Sequence, residues 1–363
     1  MMTVEPNPKY PIVKVGVLGA SGYTGAELVR LLASHGNAEI MLMTAEKNAG
    51  ADFGSVFPQY AFGTFAKKLP KLIKIDEITP AQYEELDVLF CCLPHALTQE
   101  IVMKLPLDKV KVVDLSADFR LADVKTYATW YGHEHLCPDL QKEAVYGLTE
   151  LMREQVGKAR LVANPGCYPT AAQLPLIPLL KSGLILADDI IIDAKSGATG
   201  AGRAAKVGAL YCEVTEGIHA YGVASHRHAP EIEQGLTGAA KKDIVVNFTP
   251  HLMPMSRGIL ESIYVKLAPG KSVADLRECL EKQYEDEPFV HVLPSGVAPQ
   301  TRHVRGSNHV VMGIFEDRVP DRAIIISVID NVVKGASGQA LQNMNVMMGL
   351  PETMGLELAP VFP

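Results

Sequence analysis

The chain has 363 residues, of which 48% are hydrophobic and 21% are charged, and its formal net charge is −7. This composition is typical of a globular protein, and the length predicts two domains of roughly 150 residues or more each. The net negative charge argues against a nucleic-acid partner, because a surface that binds a phosphate backbone is basic. The apolar runs are shorter than the roughly 20 residues of a membrane helix, so no membrane partner is expected.

The cysteines and the amino terminus bear on the cellular compartment. Six cysteines are spread along the chain without a C-x-x-C pair, which predicts neither a zinc site nor a disulfide scaffold and fits a reducing compartment. The first eleven residues contain three prolines and lack both the apolar core of a secretory signal and the Arg/Ser-rich pattern of a transit peptide. We therefore expect that an address sequence either does not exist or has been removed.

The order of predicted elements indicates an α/β protein with two kinds of sheet. Up to about Pro165, short apolar strands alternate with helical patterns, which is typical of a parallel sheet covered on both faces. These strands are predicted at 13–18, 39–44, 88–93, 110–115 and 161–163. The later strands are longer and helices are rarer, which predicts a mixed or antiparallel sheet in a second domain. They are predicted at 189–194, 244–249, 259–268, 310–315 and 323–329, and a final helix at 336–348.

A glycine loop follows the first predicted strand and leads into a helical pattern. It reads Gly19-Ala20-Ser21-Gly22-Tyr23-Thr24-Gly25. In a strand, turn and helix unit, glycines let the backbone approach a pyrophosphate, while N–H groups at the helix start stabilise its charge. The spacing is G-x-x-G-x-x-G rather than G-x-G-x-x-G, so a tight turn without a ligand is the alternative.

The residues after the second predicted strand bear on the choice between NAD and NADP. NAD enzymes usually place an acid there to bind the ribose 2′-hydroxyl, whereas NADP enzymes offer hydroxyls or cations. Thr44 and Lys47 could receive a 2′-phosphate, although Glu46 argues the other way. We predict NADP, with a solvated turn as the alternative interpretation.

Cys167 stands at another predicted junction between a strand and a helix. N–H groups at a helix start and the helix dipole favour a thiolate there and can stabilise an oxyanion, so we interpret Cys167 as a nucleophile. The other five cysteines are expected to be small buried hydrophobes. The dense cluster His226-Arg227-His228 is the candidate proton partner. Zinc would need further ligands at characteristic spacing, so we favour a general acid and base beside an arginine that holds an anionic substrate.

Eight segments carry a resemblance to a known family over nearly the whole chain. They are GASGYTGAEL at Gly19, VDLSADFRL at Val113, YGLTEL at Tyr146, ANPGCYPTA at Ala163, DAKSGATGAGR at Asp193, HRHAPEIEQ at His226, FTPHLMPMSRGI at Phe248 and DNVVKGASGQALQNMN at Asp330. On these segments the chain resembles the N-acetyl-gamma-glutamyl-phosphate reductases of arginine biosynthesis. Several segments are most similar to the plastid forms of plants and algae, which would place such a protein in the chloroplast stroma after loss of a transit peptide, and otherwise in the cytoplasm.

The resemblance implies roles for individual residues. Cys167 would form a thioester, and His226 would be the general acid and base, with His228 as the alternative. The residues expected to bind the substrate or its phosphate are Ser116, Arg120, Arg227 and His228. Those expected to bind NADP are Gly19, Ser21, Gly22, Tyr23, Thr24, Gly25, Thr44, Lys47, Ser196, Gly197 and Asn331, the last at the nicotinamide carboxamide. No metal is expected.

Three of these assignments have simpler alternatives. Arg120 could pair with Asp118 or Asp123 on the surface. The segment 196–203, rich in glycine and small residues, could be only a flexible loop. Asn331 could cap the final helix, a position that asparagine favours.

The same resemblance implies a fold like that of glyceraldehyde-3-phosphate dehydrogenase. A Rossmann-type NADP-binding domain would span 1–166 with 333–363, and an α+β catalytic and oligomerisation domain would span 167–332, joining a homodimer or homotetramer. The expected reaction is reduction of an acyl phosphate by NADPH. The alternatives are an aspartate-semialdehyde dehydrogenase, which shares the cysteine and the loop, and a non-catalytic dinucleotide sensor, while a cysteine hydrolase would leave the glycine loop without a purpose.

Overall fold

The protein is described by a computed structural model over residues 5–362, which form two compact units. The first unit contains the described residues up to Pro165 together with Ala336–Glu357, and the second contains Gly166–Gly335 and the described residues from Leu358 onward. The sequence had predicted the residues from Leu358 onward in the first unit. A main-chain hydrogen bond from Val361 to Arg305 joins them to the second. Residues 1–4 and 363, which the predicted domains include, lie outside the described residues.

The first unit is built on a seven-stranded sheet in which all neighbouring strands are parallel. Its strands are β1 (Val13–Leu18), β2 (Ala38–Thr44), β3 (Leu72–Ile73), β4 (Val88–Cys91), β5 (Lys111–Asp114), β6 (Val145–Tyr146) and β7 (Leu161–Ala163). They lie in the order β3-β2-β1-β4-β5-β7-β6. The strand order therefore reverses between β1 and β4, the kind of position at which open α/β sheets bind ligands beyond the carboxyl ends of the strands.

Helices cover this sheet, whose central strands are buried as the apolar runs predict. They are α1 (Tyr23–Leu32), α2 (Phe53–Val56), α3 (Gly63–Ala66), α4 (Pro80–Glu84), α5 (Thr98–Val102), α6 (Val124–Tyr131), α7 (Pro138–Glu143), α8 (Thr149–Lys158) and, from the carboxy-terminal part of the chain, α13 (Gly338–Met347). Leu28, Leu31 and Leu32 lie on the buried side of α1, as their helical spacing predicts. The last helix, α13, packs against α1, α8 and β5.

The second unit is built on a mixed seven-stranded sheet. Its strands are β8 (Ile191–Gly197), β9 (His219–Ala220), β10 (Asn247–Met253), β11 (Ile259–Lys266), β12 (Val290–Val292), β13 (Val310–Glu316) and β14 (Arg322–Ile329), and its helices are α9 (Cys167–Lys181), α10 (Tyr211–Val214), α11 (Ala229–Ala240) and α12 (Val273–Gln283). The strand order is β12-β13-β14-β11-β8-β10-β9, in which β8 with β10 and β12 with β13 are the parallel pairs. Buried and half-buried residues alternate along β11, as expected of a sheet with one core face.

Helix α9 is the buried centre of the second unit. It packs against α11, α12, β11 and β14, and every residue from Tyr168 to Leu180 is buried. Pro175 and Pro178 lie inside it, and each removes one main-chain donor from the helix. In a regular helix the Leu174 carbonyl would accept a hydrogen bond from the N–H group of residue 178, which proline lacks. It accepts one instead from the Tyr284 hydroxyl at 2.5 Å. Tertiary contacts thus compensate for a sequence that disfavours a helix.

The predicted fold class is confirmed, and the differences are local. Strand β8 begins later than predicted because Asp189 has a positive φ of 57°, and it continues through Ser196 because the polar end still pairs with β10. Strand β10 is likewise shifted towards the carboxyl end. The strands β3, β6, β9 and β12 were not predicted, since two or three residues carry no usable alternation. The final helix starts later because Val333–Ser337 forms a π-helical turn.

Among residues 5–362, no helix is both long enough and apolar enough to cross a membrane.

Candidate active site

Cys167 is the first residue of helix α9, at the junction that the sequence predicted. The preceding Gly166 is extended, and its carbonyl accepts hydrogen bonds from the Thr170 N–H at 3.0 Å and the Thr170 hydroxyl at 2.9 Å. The Gly166 N–H donates to the Glu231 carboxylate at 2.8 Å. Since Pro169 has no N–H group, the helix start offers an oxyanion at most the N–H groups of Cys167 and Tyr168.

The π-helical turn before α13 packs directly on the cysteine. A Cβ atom placed on Gly335 would lie 2.6 Å from the Cβ of Cys167 and 3.1 Å from its Cα. No real side chain tolerates such a contact, so only glycine fits there. Sequence reasoning overlooked Gly335, although it lies inside the matched segment that begins at Asp330.

Aromatic rings surround the two histidines of the HRH cluster. The His226 ring lies 4.9 Å from that of His228, 5.6 Å from Tyr168, 5.5 Å from Tyr221 and 5.3 Å from Phe248, measured between ring centres. The hydroxyl groups of Tyr168 and Tyr221 share a hydrogen bond of 2.8 Å. None of the three aromatic residues had been predicted, because their positions in the sequence are not distinctive.

The protonation states of Tyr168 and Tyr221 follow from their surroundings. Burial raises the pKa of Tyr221 to about 12; the hydrogen bond with Tyr168 opposes this shift, and the charge of Cys167 contributes to it. Burial also raises the pKa of Tyr168, to which the neighbouring Tyr221 and Cys167 contribute. Both phenols are therefore neutral.

His226 is half-buried and held in a defined orientation. The main-chain N–H of His228 donates to the Nδ1 atom of His226 at 3.1 Å. Burial lowers the pKa of His226 to about 4, and the positive charge of Arg227 lowers it as well. A ring whose Nδ1 accepts a hydrogen bond carries its proton on Nε2 in the neutral form. Arg227 itself is exposed.

The predicted nicotinamide residues form a second group in the same unit. Ser196 and Gly197 end β8, and the buried Ser196 hydroxyl donates to the Gly197 carbonyl at 3.1 Å. Asn331 is buried, where its Oδ1 accepts from the Gly258 N–H at 2.7 Å and its Nδ2 donates to the Thr199 hydroxyl at 3.0 Å. Asn331 is therefore not the cap of the final helix, which starts at Gly338. The segment 196–203 is not simply a flexible loop either, because it contains the end of β8 and a 3₁₀ turn.

The glycine loop of the first unit has the geometry of a dinucleotide turn. Gly19 has a positive φ of 74°, and a Cβ atom there would overlap the carbonyl oxygen of Cys92 at the end of β4. The loop thus lies at the reversal between β1 and β4, with Gly22 as the N-cap of α1. Tyr23 is 39% exposed, Ser21 is half buried, and the Thr24 carbonyl accepts from the Ser337 hydroxyl at 2.7 Å.

Thr44, which ends β2, and the residues that follow it differ in their exposure. Thr44 is buried, and its hydroxyl and carbonyl accept hydrogen bonds from the N–H groups of Gly19 and Ala20, each at 2.9 Å. These two hydrogen bonds hold the first residues of the glycine loop in position. Lys47 is exposed, as is Glu46, whose carboxylate accepts from the Ile75 N–H at 3.3 Å.

Arg120 and Ser116 occupy a buried polar network in the first unit. Arg120 is only 7% exposed and donates to the carbonyl oxygens of Asn164 at 2.8 Å and Leu115 at 2.9 Å, so the alternative of a surface residue is wrong. Ser116 is buried and donates through its N–H and hydroxyl to the Asp114 carboxylate. Burial raises the pKa of Asp114 to about 7, and the charge of Asp118 adds to this effect.

One expectation about the other cysteines is wrong. Cys212 is exposed on the short helix α10 instead of lying in the core, while Cys91 and Cys137 are buried as expected. Cys92 and Cys279 are partly buried. The helix α10 has few buried neighbours because a four-residue element buries little surface.

Both halves of the chain match described protein domains. The semialdehyde dehydrogenase NAD binding domain matches residues 14–159, and the semialdehyde dehydrogenase dimerisation domain matches residues 167–331. A probable N-acetyl-gamma-glutamyl-phosphate reductase, chloroplastic, from Arabidopsis thaliana is 58% identical over 97% of this chain and 86% of its own length. The N-acetyl-gamma-glutamyl-phosphate reductase of Afipia carboxidovorans is 60% identical over 95% of this chain and 97% of its own.

Solved structures share the fold at low identity. Aspartate semialdehyde dehydrogenase II from Vibrio cholerae has a TM-score of 0.70 at 15% identity and covers 93% of this chain and 98% of its own. The aspartate semialdehyde dehydrogenase with NADP from Candida albicans has a TM-score of 0.66 at 18% identity, with the same shares covered. These likenesses concern the fold alone.

Proposed function

Because the chain belongs to the family of N-acetyl-gamma-glutamyl-phosphate reductases, we propose that it performs the family's reaction through Cys167. The enzyme is an NADP-dependent oxidoreductase of arginine biosynthesis, which reduces N-acetyl-L-glutamyl 5-phosphate to N-acetyl-L-glutamate 5-semialdehyde and releases phosphate. The observation that carries this conclusion is the 58% identity to the Arabidopsis relative over 97% of the chain. The alternative of an aspartate-semialdehyde dehydrogenase has support only from structures at 15–18% identity.

The nucleophile is the thiolate of Cys167, held at the start of α9. It attacks the acyl carbon, and the carbonyl electrons move onto oxygen, where main-chain N–H groups of the first helical turn stabilise the charge. When the carbonyl forms again, the bond to phosphate breaks and a thioester remains on Cys167. The packing of Gly335 on this residue and the bond from Gly166 to Glu231 hold the main chain at the start of α9 in place.

Arg120 is the proposed ligand of the phosphate group. A guanidinium matches the geometry of a phosphate, and this one is held by two main-chain carbonyl oxygens. We propose that Ser116 acts indirectly, by holding Arg120 in position. Its N–H and hydroxyl groups already bind Asp114 and so order the segment that ends at Arg120. Arg227 and His228 are proposed to bind the remaining acidic part of the substrate.

The residues of the first unit fit a dinucleotide. The absence of a side chain on Gly19 lets the loop turn tightly against the end of β4, and the start of α1 offers N–H groups to a pyrophosphate. When bound, NADPH supplies the hydride that reduces the thioester. We propose that Ser21, Gly22, Tyr23, Thr24 and Gly25 contact it, that Thr44 supports the loop, and that Lys47 meets the 2′-phosphate. Ser196, Gly197 and Asn331 are proposed for the nicotinamide end.

The assay that tests this function runs the reaction backwards. Purified protein receives N-acetylglutamate semialdehyde, phosphate and NADP, and NADPH is followed by its absorbance, with aspartate semialdehyde and NAD in parallel. We expect phosphate-dependent activity with the N-acetylated substrate and NADP. Activity with aspartate semialdehyde alone would refute the assignment.

One variant and one labelling experiment separate the chemistry from cofactor binding. Cys167→Ser should abolish turnover yet change NADPH affinity by no more than about a factor of a few, because the thiol acts in covalent chemistry. In wild-type protein, iodoacetamide should label Cys167 faster than Cys279. Equal labelling rates would contradict the role of Cys167 as nucleophile.

Assembly and location are further proposals. We propose a homodimer or homotetramer joined through the second unit, which the match to a dimerisation domain supports. Sedimentation equilibrium would test it, and a monomer at assay concentrations would refute it. If the source is a plant or an alga, the plastid stroma is the proposed compartment, as in the names of two plant relatives, and otherwise the cytoplasm.

A further inference from the structure

We propose that two buried side chains, Asn164 and Asn343, are positioning residues that orient Arg120 for the phosphate group. They act on the substrate only through the arginine. The inference deepens the proposed function and rests on it, since it concerns the same phosphate and the same guanidinium. It also gives a role to two matched segments that the reaction itself leaves without one, YGLTEL at Tyr146 and QALQNMN at Gln339.

The direction of the Arg120 guanidinium depends on Asn164. The Nε atom of Arg120 donates to the main-chain oxygen of Asn164 at 2.8 Å, and its Nη2 donates to that of Leu115 at 2.9 Å. Two bonds from different nitrogen atoms fix the plane of a guanidinium, and that plane decides whether a phosphate meets a fork of two donors. A displacement of the Asn164 carbonyl would therefore turn the arginine away from its ligand.

Asn164 is the first residue after β7, and its side chain secures the main chain there. Its N–H donates to the Asp114 carbonyl at 2.8 Å and so continues the sheet, whereas the next residue, Pro165, has no N–H group. The Nδ2 of Asn164 donates to the Ala336 carbonyl at 3.0 Å, and its Oδ1 accepts from the Nδ2 of Asn343 at 3.1 Å. The position of the Asn164 carbonyl therefore depends on residues near the carboxyl end of the chain.

Main-chain carbonyl oxygens, which can only accept, determine the orientation of both carboxamides. Because Ala336 presents a carbonyl, Asn164 places its NH₂ group there and turns its oxygen towards Asn343. Because Gly147 also presents a carbonyl, the Nδ2 of Asn343 donates to it at 2.8 Å. The Oδ1 of Asn343 then accepts from the Thr149 hydroxyl at 2.8 Å. An aspartate at either position would bring oxygen atoms face to face.

The segment around Gly147 is shaped to receive Asn343. A Cβ atom on Gly147 would overlap the Nδ2 of Asn343, so only glycine admits the amide. Gln339, one turn earlier on α13, donates to the Gly147 carbonyl at 3.0 Å and to the Thr149 hydroxyl at 2.6 Å. The four polar side chains of Thr149, Asn164, Gln339 and Asn343 are each 1% exposed or less, and all belong to the first unit. Such a network favours one arrangement, since another would leave buried donors or acceptors unpaired.

A substitution at Asn343 tests these contacts at the end remote from the phosphate. Asn343→Leu removes the donor to Asn164 while keeping a similar volume. In the phosphate-dependent assay with N-acetylglutamate semialdehyde and NADP, we expect the KM for phosphate to rise about ten-fold, the scale of one lost buried hydrogen-bond partner. The KM values for NADP and for the semialdehyde should stay close to those of wild type.

Asn345→Leu is the matched control on the same helix. Asn345 is as deeply buried as Asn343, but its side chain is hydrogen bonded to His35 and to the carbonyl oxygens of Glu352 and Met354. The packing change is the same, and we expect an unchanged KM for phosphate. An equal rise of this KM in both variants would overturn the proposal, because it would reflect general damage to α13.

A double substitution decides whether Asn343 acts through Arg120. Arg120→Lys keeps a positive charge but has no Nε–H group for the Asn164 carbonyl, and it should raise the KM for phosphate by itself. Adding Asn343→Leu should then raise this KM by less than about two-fold, because the contact through which it acts is already lost. Additive effects of the two substitutions would overturn the proposal and leave the network a purely structural role.

A milder pair of variants keeps the proposal testable if Asn343→Leu does not fold. Thr149→Val removes the hydroxyl that binds the Oδ1 of Asn343 with little change of shape, and it should raise the KM for phosphate by about three-fold or more. Thr149→Ser keeps the hydroxyl and should retain the wild-type value. Equal KM values for the two enzymes would overturn the proposal. Failure of the proposed function would instead appear as wild-type enzyme inactive with N-acetylglutamate semialdehyde, so the two failures are distinguishable.

Discussion

Glu261 carries a prediction about stability that depends on pH. It lies in the middle of β11 on the core face, directly opposite Ser327 of β14, and it is fully buried. Within the described part of the chain, neither of its carboxylate oxygens nor the Ser327 hydroxyl has a hydrogen-bond partner. Burial raises the pKa of Glu261 well above its ordinary value of 4.5, so the folded protein holds it as a neutral acid.

The sign of the effect follows from the proton balance between the two states. Above about pH 4.5 the unfolded chain loses the Glu261 proton while the folded chain keeps it, so this group's contribution to stability falls as pH rises. The slope approaches about 1.4 kcal/mol per pH unit and ends at the folded-state pKa. Glu261→Gln removes the titrating group, and its stability relative to wild type should therefore increase with pH. Glu261→Met also removes the unpartnered oxygens, which should add about 1–3 kcal/mol.

The assay is unfolding in urea at several values between pH 5 and pH 8. Hydrogen exchange of peptides from β11 and β14 gives the local free energy of opening, since a chain of two units need not unfold in a single step. Glu278→Gln, at an exposed position of α12, is the control and should leave the pH slope unchanged. If wild type and Glu261→Gln show parallel pH dependence, the carboxyl is not a neutral buried acid and the reasoning fails.

Substitutions at three further positions test the geometry of the two proposed sites. Gly335→Ala should slow both turnover and iodoacetamide labelling of Cys167, because the new Cβ would stand 2.6 Å from the cysteine Cβ, and overpacking of this kind costs about 1–3 kcal/mol. Glu231→Ala should lower kcat more than KM, since it frees the Gly166 N–H and loosens the start of α9, whereas Glu231→Gln keeps an acceptor and should retain most activity. Gly25→Ala should weaken NADPH binding by about ten-fold or more while phosphate affinity stays unchanged. The new Cβ would stand 2.7 Å from the Cα of Ala20, the second residue of the glycine loop. Unchanged labelling in the first variant, equal loss in both Glu231 variants, or wild-type NADPH affinity in the third would contradict the respective contact.

Much of the architecture could be predicted from local patterns. The apolar runs that became β1, β4, β5 and β7 identify a parallel sheet, because strands buried on both faces have no polar alternation. The order of strand, glycine turn and helix at Gly19 predicted the turn between β1 and α1, and the same order at Gly166 predicted that Cys167 begins a helix. Such signals survive in a single sequence because periodicity and turn chemistry act over a few neighbouring residues.

The contacts that define the candidate active site were not visible in this way. The sequence pointed to Cys167 and His226 as partners, but only the packing of α9 and α11 brings Glu231 to the Gly166 N–H and sets both Tyr168 and Tyr221 beside the imidazole. Thr44 was predicted as a residue that could receive the 2′-phosphate, and the structure adds that it is buried and accepts a hydrogen bond from the Gly19 N–H.

The sequence by itself determined the sheet types, the place of Cys167 at a helix start and the family, since these depend on local order and on matched segments. The tertiary structure decided which atoms meet. Gly335 touches Cys167, and the His228 N–H assigns the proton of His226 to Nε2, because side chains far apart in the chain or turned by a tight loop converge only when the core is packed. Protonation states depend on that burial, and composition and spacing do not report it.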